Sequence, residues 1–375
     1  MKRKQVRVGI VGVGGIARNY HIPSYQRCEN VEIVTACDIS EAALEGVRER
    51  YEIENCYRDC HTMLRKEELD IVSICTTNDM HYPIAMEAMR QGIDVFCEKP
   101  LALTHAQARK MYQTAQDRGI KTGVNFSHRR TPAAQLANEI VSSSALGDIY
   151  YVAAVYAAGG TEYVKRPWTW RNDKSRAEFG GLGDMGSHIL DMVLWWLECD
   201  IESVAANMRT FVPKRISPQT GETMAVTTED QGMLLLNYSN GAMGYVCGSY
   251  TFTGRGFDQR IEIYGSDGGL MYDQQHPYEL QVHLPPKILD EYAILREGGT
   301  RDRPYTTILV PERLQGIVDN QEGKRRTVLM DYLDAYRDKG PFDFSPGFYE
   351  GMKVQEILEA TREATSSRRW IELPL

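Results

Sequence analysis

Gly9-Ile10-Val11-Gly12-Val13-Gly14-Gly15-Ile16-Ala17 decides how the first third of this chain folds. The stretch closes a β-branched run that starts at Val6 and opens a helical one, so Gly12, Gly14 and Ala17 form G-x-G-x-x-A at a strand-to-helix turn. Each small residue has a task there. Gly12 permits the tight turn, Gly14 lets backbone approach a pyrophosphate, and Ala17 lets helix and strand pack closely, with phosphate at the helix N-terminus. Gly15 and Ile16 complete the expected dinucleotide contacts. The alternative is an ordinary glycine-bearing turn.

Outward from this turn, β-branched runs at 6–11, 31–37, 71–75, 95–97 and 121–124 alternate with helical stretches such as 41–51, 82–91 and 104–117. That alternation predicts an α/β Rossmann domain, a doubly wound parallel sheet, over residues 1–125. After Asn125 the rhythm changes. A helix at 132–143, a strand at 149–156 and a helix at 184–197 precede strands at 203–211, 230–238, 242–252, 259–264 and 279–283. Turns such as Ser239-Asn240-Gly241 and Ser266-Asp267-Gly268-Gly269 join them, which predicts an α+β domain over 126–375 with a large, mainly antiparallel open sheet. Residues 285–323, weakly periodic and rich in charge, read as a surface excursion, a lid or an oligomer contact. Helical periodicity returns at 326–336 and 347–366, before a strand-like end at 370–373.

The 375 residues are 42% apolar and 25% charged, ordinary values for about two globular domains. A formal net charge of -8 offers no overall attraction to nucleic acid or anionic lipid, so neither is an expected partner. Met1-Lys2-Arg3-Lys4 has the charge of a signal n-region, but the apolar run behind it is short and broken by glycines. The apolar run at 189–197 is too short to span a bilayer and contains Asp191. Eight cysteines without a Cys-x-x-Cys pair read as reduced thiols, and the expected location is the cytoplasm. Cys56, Cys60 and His61 lack a second cluster, so no metal is expected.

Asp38 ends the second strand, where it would accept from the 2'-hydroxyl of an adenosine ribose and repel a 2'-phosphate. Ile39 and Ser40 supply no compensating cation, so NAD is expected over NADP; a turn aspartate capping the next helix is the alternative. Thr76, Thr77 and Asn78 follow the fourth strand, with His81 just beyond, at the sheet edge where nucleotides are contacted. A helix cap explains them equally well. Glu98-Lys99-Pro100 follows the fifth strand beside the expected nicotinamide pocket, so Glu98 and Lys99 are expected cofactor contacts, and a lysine there can orient a hydroxyl and stabilise a developing alkoxide. Taken alone, a Glu-Lys pair is a solvated strand end.

A second constellation, 180–191, leads glycines into a helix. Asp184 and His188 stand four apart on one face, about 5–6 Å between Cβ atoms, with Asp191 on the same polar face and Leu190, Val193, Leu194 and Leu197 toward the core. An N-cap aspartate and an interior histidine are the alternative. The Gly-rich turn, Glu-Lys-Pro after strand five and Asp-x-x-x-His after a glycine run, in this order, resemble the glucose-fructose oxidoreductase and inositol 2-dehydrogenase (Gfo/Idh/MocA) family over nearly the whole chain. The resemblance implies a Rossmann domain followed by an α+β domain whose open sheet makes dimers or tetramers. It implies Lys99 as catalytic lysine, Asp184 as substrate-binding aspartate, His188 as acid/base, and Trp170-Arg171 as a cofactor and substrate contact. The stretch from Asn125 to Arg129 differs from the family's commoner Asn-Arg-Arg-Phe form; Asn125 would face cofactor and His128 substrate.

The expected chemistry is oxidation of a secondary hydroxyl of a sugar or cyclitol, with hydride going to NAD, His188 taking the proton, and Lys99 and Asp184 fixing the oxygen. Lys99 remains an alternative base. Tyr156, Trp168 and Trp170, with Tyr163, offer flat faces to a sugar ring, or serve the core. Arg129, Arg130, Arg166, Arg171 and Arg176 keep a sugar phosphate or uronic acid open. Two rivals remain: an enzyme that retains NAD and oxidises transiently to epimerise or cleave, and a non-catalytic dinucleotide-binding regulator. The enzymatic expectation requires Lys99 and His188 to serve one pocket.

Overall fold

Val6–Val11 (β1), Val31–Cys37 (β2), Cys56–Tyr57 (β3), Ile71–Ile74 (β4), Asp94–Cys97 (β5) and Thr122–Val124 (β6) form a parallel six-stranded sheet, in the order β3-β2-β1-β4-β5-β6. A computed structural model describes residues 5–160, 162–291, 295–296, 304–319, 324–338 and 340–375. The strand order reverses between β1 and β4, the crevice where open α/β sheets take their ligands. Gly12, Asp38, Thr76, Glu98 and Asn125 all follow the carboxyl ends of strands and therefore share one sheet edge. Buried side chains line both faces of β4 and β5, as helices on both sides require.

The chain divides into two compact units, Met1–Phe126 with Ser175–Ala177 and Thr327–Gln355, and Ser127–Lys174 with Glu178–Arg326 and Glu356–Leu375. A single boundary near 125 does not anticipate the late return of 327–355 to the first unit. That return supplies core. Helix Val328–Arg337 buries Val328, Leu329, Tyr332 and Leu333 in one cluster with Phe96, Tyr25 and Ile10. The Tyr332 ring lies 5.3 Å from Phe96 and 5.3 Å from Phe344, and each such large side chain contributes roughly 1.5–3 kcal/mol by burial. Val124 N donates to Pro346 O at 2.9 Å, extending the tie along β6.

In the second unit, the strands are Ile149–Ala157 (β7), Ile201–Arg209 (β8), Lys214–Ile216 (β9), Thr223–Ala225 (β10), Gln231–Tyr238 (β11), Met243–Ser249 (β12), Asp258–Gly265 (β13), Gly269–Asp273 (β14), Glu279–His283 (β15), Leu295–Arg296 (β16), Thr306–Leu309 (β17), Ile317–Asp319 (β18), Lys324–Arg325 (β19) and Ile371–Glu372 (β20). Ten of them make one sheet, β16-β17-β15-β14-β13-β7-β12-β11-β8-β20, antiparallel except where β7 runs parallel to β12. β9 with β10, and β18 with β19, are separate ribbons. The 285–323 segment is thus partly structural, lending β16 and β17 to the sheet edge; residues 292–294, 297–303 and 320–323 lie outside the described residues, as does the Met1–Lys4 start.

Helices Pro132–Ser142 and Ser187–Leu197 pack in this unit, their contact sealed by Trp196 Nε1 donating to Ala134 O at 3.1 Å. Among the described residues the other sheet face stays open. Met233, Leu235, Met243 and Tyr151 are 49%, 56%, 59% and 37% exposed on it. Among the described residues no helix is long and apolar enough to cross a membrane.

Candidate functional site

In the first unit, the turn after β1 is built for close approach. Gly12 has φ +84°, and a Cβ there would lie 2.7 Å from Cys75 O, so no side chain fits. Around Gly14 and Gly15 nothing lies within 4 Å of where a Cβ would stand, which leaves this backbone open to a ligand. The following helix carries one wide π-type turn, Ala17–His21, closed by Ile22 N on Ala17 O, just before Pro23. Proline lacks a donor and crowds the preceding turn, so the helix relaxes there.

The Asp38 carboxylate braces the turn, accepting from Val13 N and from Ser40 N, both at 2.9 Å. A carboxylate has about four acceptor positions, so a ribose hydroxyl can be added without losing either bond. Sequence reasoning missed a nearby cation: Arg58 Nη2 donates to Ile39 O at 3.0 Å. Asp38→Ala is therefore expected to raise the KM for NAD roughly tenfold, the value of one charged hydrogen bond, and to admit NADP. Kinetics with both cofactors check this; an unchanged preference removes the role.

The lysine strand end is held from below. Glu98 is buried, and its carboxylate accepts from Asn125 Nδ2 at 2.7 Å and meets His21 Nε2 at 2.8 Å, while His21 Nδ1 meets Ser73 Oγ at 2.8 Å. Burial alone would raise the Glu98 carboxyl; the hydrogen bond and charge of His21, then Asn125 and Lys99, overcome it and hold it below its usual range. Glu98 thus serves as an anchor that also receives Lys99 N at 3.3 Å, where a direct cofactor contact was expected. His21 had no sequence signal, being one histidine in a helix. Asn125 is 2% exposed, and its Oδ1 has no hydrogen-bond partner among the described residues, an acceptor suited to a bound N–H group.

His81 is likewise structural. It is fully buried, its Nδ1 lies 2.9 Å from Pro100 O and its Nε2 3.4 Å from Thr76 O, and burial pushes its pKa down against both carbonyls. A neutral ring ties the segment after Lys99 to the helix Asn78–Arg90. Asn78 Nδ2 donates to Ala177 O at 3.2 Å, Thr77 donates to Asp79 at 2.5 Å and receives Arg176 Nη2 at 3.3 Å, and Thr76 donates to Thr77 O at 3.2 Å. The 175–177 strap therefore occupies part of the edge assigned to nucleotide. An open glycine turn, a braced acidic residue after β2 and a buried acceptor after β6 together fit a dinucleotide.

In the second unit, Gly181 leads into a second wide turn, Leu182–Gly186, closed by Ser187 N on Leu182 O, before helix Ser187–Leu197. β12 packs against it because a Cβ at Gly248 would lie 2.8 Å from Gly186 N. Glu229 fastens the turn, its Oε1 accepting from Gly180 N at 2.8 Å and Leu182 N at 2.9 Å. Burial pushes its carboxyl up to about 7 despite those bonds.

Asp184 sits in this turn. Its Oδ2 accepts from Tyr250 OH at 2.8 Å and lies 3.8 Å from Arg171 Nε, whose guanidinium stands 4.4 Å over the Trp170 ring. Tyr250, missed in the sequence, has its hydroxyl pushed well up by burial and then by Asp184, so it stays a donor. His188 is 7% exposed and stacks on His128, centroids 4.0 Å apart and planes 31° apart; Tyr156 lies 5.1 Å from His128 and 6.2 Å from His188. Asp184, His188, His128, Tyr156, Trp170 and Arg171 therefore belong to one neighbourhood.

Two expectations fail here, those for Asp191 and Arg129. Asp191 does not face a cleft: it is 1% exposed and takes Arg129 in a two-pronged pair at 2.6 and 2.8 Å. Arg129 is consequently not a ligand arginine. Trp168 docks on the β9–β10 ribbon, its Nε1 donating to Ala225 O at 3.1 Å, and Tyr163 donates to Asp230 at 2.5 Å. All eight cysteines are free, and among the described residues no group of three His, Cys, Asp or Glu could hold a metal.

The family model described as "Oxidoreductase family, NAD-binding Rossmann fold" matches residues 6–126, and the "GFO/IDH/MocA C-terminal domain" model matches 134–271. Levoglucosan dehydrogenase of Pseudarthrobacter phenanthrenivorans is 28% identical over 99% of both chains. D-apiose dehydrogenase of Paraburkholderia graminis is 28% identical over 99% of this chain and 90% of its own. A levoglucosan dehydrogenase structure in complex with NADH and levoglucosan superposes with a TM-score of 0.83 at 25% identity, covering 99% of this chain and 100% of that one.

Proposed function

Because the chain belongs to the Gfo/Idh/MocA oxidoreductase family, we propose that it is an NAD-dependent dehydrogenase oxidising one secondary hydroxyl of a sugar or cyclitol to the ketone. The observation that carries the reading is the assembly around His188, a buried imidazole one turn beyond an aspartate that Tyr250 and Arg171 hold. NAD, when bound, accepts the carbinol hydride. His188 removes the hydroxyl proton, an imidazole being the side chain best matched to proton transfer near neutrality. The Lys99 ammonium stabilises the oxygen as negative charge develops, and Asp184 orients it. Tyr156 lines the substrate, and Trp170-Arg171 touches cofactor and substrate.

Relatives named for levoglucosan and D-apiose support a neutral sugar, and the commitment of Arg129 to Asp191 removes one cation that a phosphate would need. The protein acts in the cytoplasm as a homo-oligomer, a dimer or tetramer, through the open sheet face bearing Met233, Leu235 and Met243. Leu235→Arg is expected to lower the assembly state seen by light scattering.

A panel of sugars and cyclitols followed by NADH absorbance, with mass spectrometry for retained cofactor, tests the activity. Release of NADH with a neutral sugar is the expected result. Redox-neutral conversion on retained NAD, or binding without turnover, overturns it.

A further inference from the structure

In the first unit a string of buried hydrogen bonds crosses the carboxyl edge of the parallel sheet. Ser73 on β4, His21 in the helical segment after β1, Glu98 after β5 and Asn125 after β6 are joined in turn at 2.8, 2.8 and 2.7 Å. None of the four is more than 7% exposed. The wide turn Ala17–His21 ends on this histidine, as such turns often do at working positions. Its ring lies steeply inclined to Tyr20 and Phe96, centroids 5.6 and 5.7 Å away, which fixes the imidazole plane.

The donors along the string follow from Glu98. Its carboxyl is ionised, because the bond and charge of His21, then Asn125 and Lys99, outweigh the burial that would raise it. Tyr20, Cys75, Cys97 and His81 also feel this carboxylate, yet burial keeps the first three protonated and His81 neutral, so none of them brings a positive charge. A carboxylate only accepts, so His21 presents its Nε2–H and Asn125 an Nδ2–H to Oε1. The Ser73 hydroxyl serves Nδ1 of His21 whether or not that nitrogen carries a proton. The Asn125 amide is thereby fixed with its other end, Oδ1, as a buried acceptor that has no partner among the described residues. Strand order says which donor it meets. Asp38 after β2 fits the adenosine ribose and the glycine turn after β1 fits the pyrophosphate, so a dinucleotide laid along this edge carries its nicotinamide toward β5 and β6. The N–H donor at that end of NAD is the carboxamide.

We infer that His21 is a positioning residue: acting through Glu98, it fixes the Asn125 amide so that Oδ1 accepts from the nicotinamide carboxamide. This deepens the dehydrogenase reading and rests on it. Once the His21 donor is removed, burial is expected to outweigh the contacts that remain, so Glu98 takes up a proton. A carboxylic acid can donate to Asn125 Oδ1, and the amide then turns over to offer N–H where the oxygen stood.

The test is calorimetric titration of the full chain with NADH and with its 3-acetylpyridine analogue, whose acetyl group replaces the carboxamide and offers no N–H. Wild type is expected to bind NADH about tenfold more tightly than the analogue, the cost of leaving a buried acceptor unpaired. Asn125→Ala should bring the two affinities within about twofold of each other, since no acceptor is left to satisfy. His21→Phe, which fills the space without a donor, should abolish or reverse the preference, whereas His21→Gln, which keeps an N–H for Glu98, should retain it. A merely structural role for His21 lowers Tm and weakens both ligands alike, so the ratio separates the two roles. His21→Leu takes the place of His21→Phe if the larger ring prevents folding. Equal affinity of wild type for both ligands, or the wild-type ratio in a folded His21→Phe, overturns the inference and leaves the dehydrogenase reading standing. A wild type that binds neither ligand removes both.

Discussion

Replacing His188 by alanine is expected to lower kcat by about 10²–10⁴-fold, the usual contribution of a general base, while the affinity for NAD changes less than about threefold. The separation follows from the architecture. Gly12, Asp38 and Asn125, which fit the dinucleotide, hang from the parallel sheet of the first unit, whereas His188 stands on a helix of the second. Lys99→Met is expected to cost a similar factor, but through the developing oxyanion, so its loss should not be recovered by raising pH as a titrating base would be. Stopped-flow turnover together with NADH fluorescence titration reads both quantities. Turnover at the wild-type rate in either variant would contradict the assignment of that residue.

Asp191→Ala is expected to destabilise the second unit by about 3–5 kcal/mol, because it strands the Arg129 guanidinium, 5% exposed, without its counter-charge. Arg129→Met alone should cost a comparable amount by leaving the carboxylate. The double change to Arg129→Met with Asp191→Leu should recover most of the loss, since an apolar pair of similar volume avoids both desolvation costs. Urea midpoints of the four proteins form the cycle. Equal stability of wild type and Asp191→Ala would show that the pair is not buried as the structure has it. Even a stable double variant should lose activity, because the same pair bolts the turn carrying His128 to the helix carrying His188.

The parallel sheet and its glycine turn were legible because they rest on local signals: β-branched runs, a strand-to-helix turn, an acidic residue at the next strand end. The open sheet was legible from alternation and turns, although β14, β16 and β17 were not singled out. What escaped depends on partners far along the chain. Asp191 shares a helical face with Asp184 by spacing, and nothing local says that Arg129, 62 residues earlier, claims it. Glu98 looks like a solvated strand end until His21, 77 residues away, is seen beneath it. Tyr250 gave no pattern of its own. The wide turns at Ala17–His21 and Leu182–Gly186 also left no periodic trace, yet one follows the glycine turn and the other carries Asp184. Such turns recur at functional positions because they re-aim a side chain without ending the helix.

The late return of 327–355 to the parallel sheet has a consequence for biosynthesis. Six strands leave the ribosome early, but the aromatic ring that closes over Phe96, Tyr332, arrives only after all strands of the second sheet but β20 have been made. The nascent nucleotide-binding half must wait with one apolar flank wet, and a message cut short before codon 327 yields a sticky fragment in place of a small working domain.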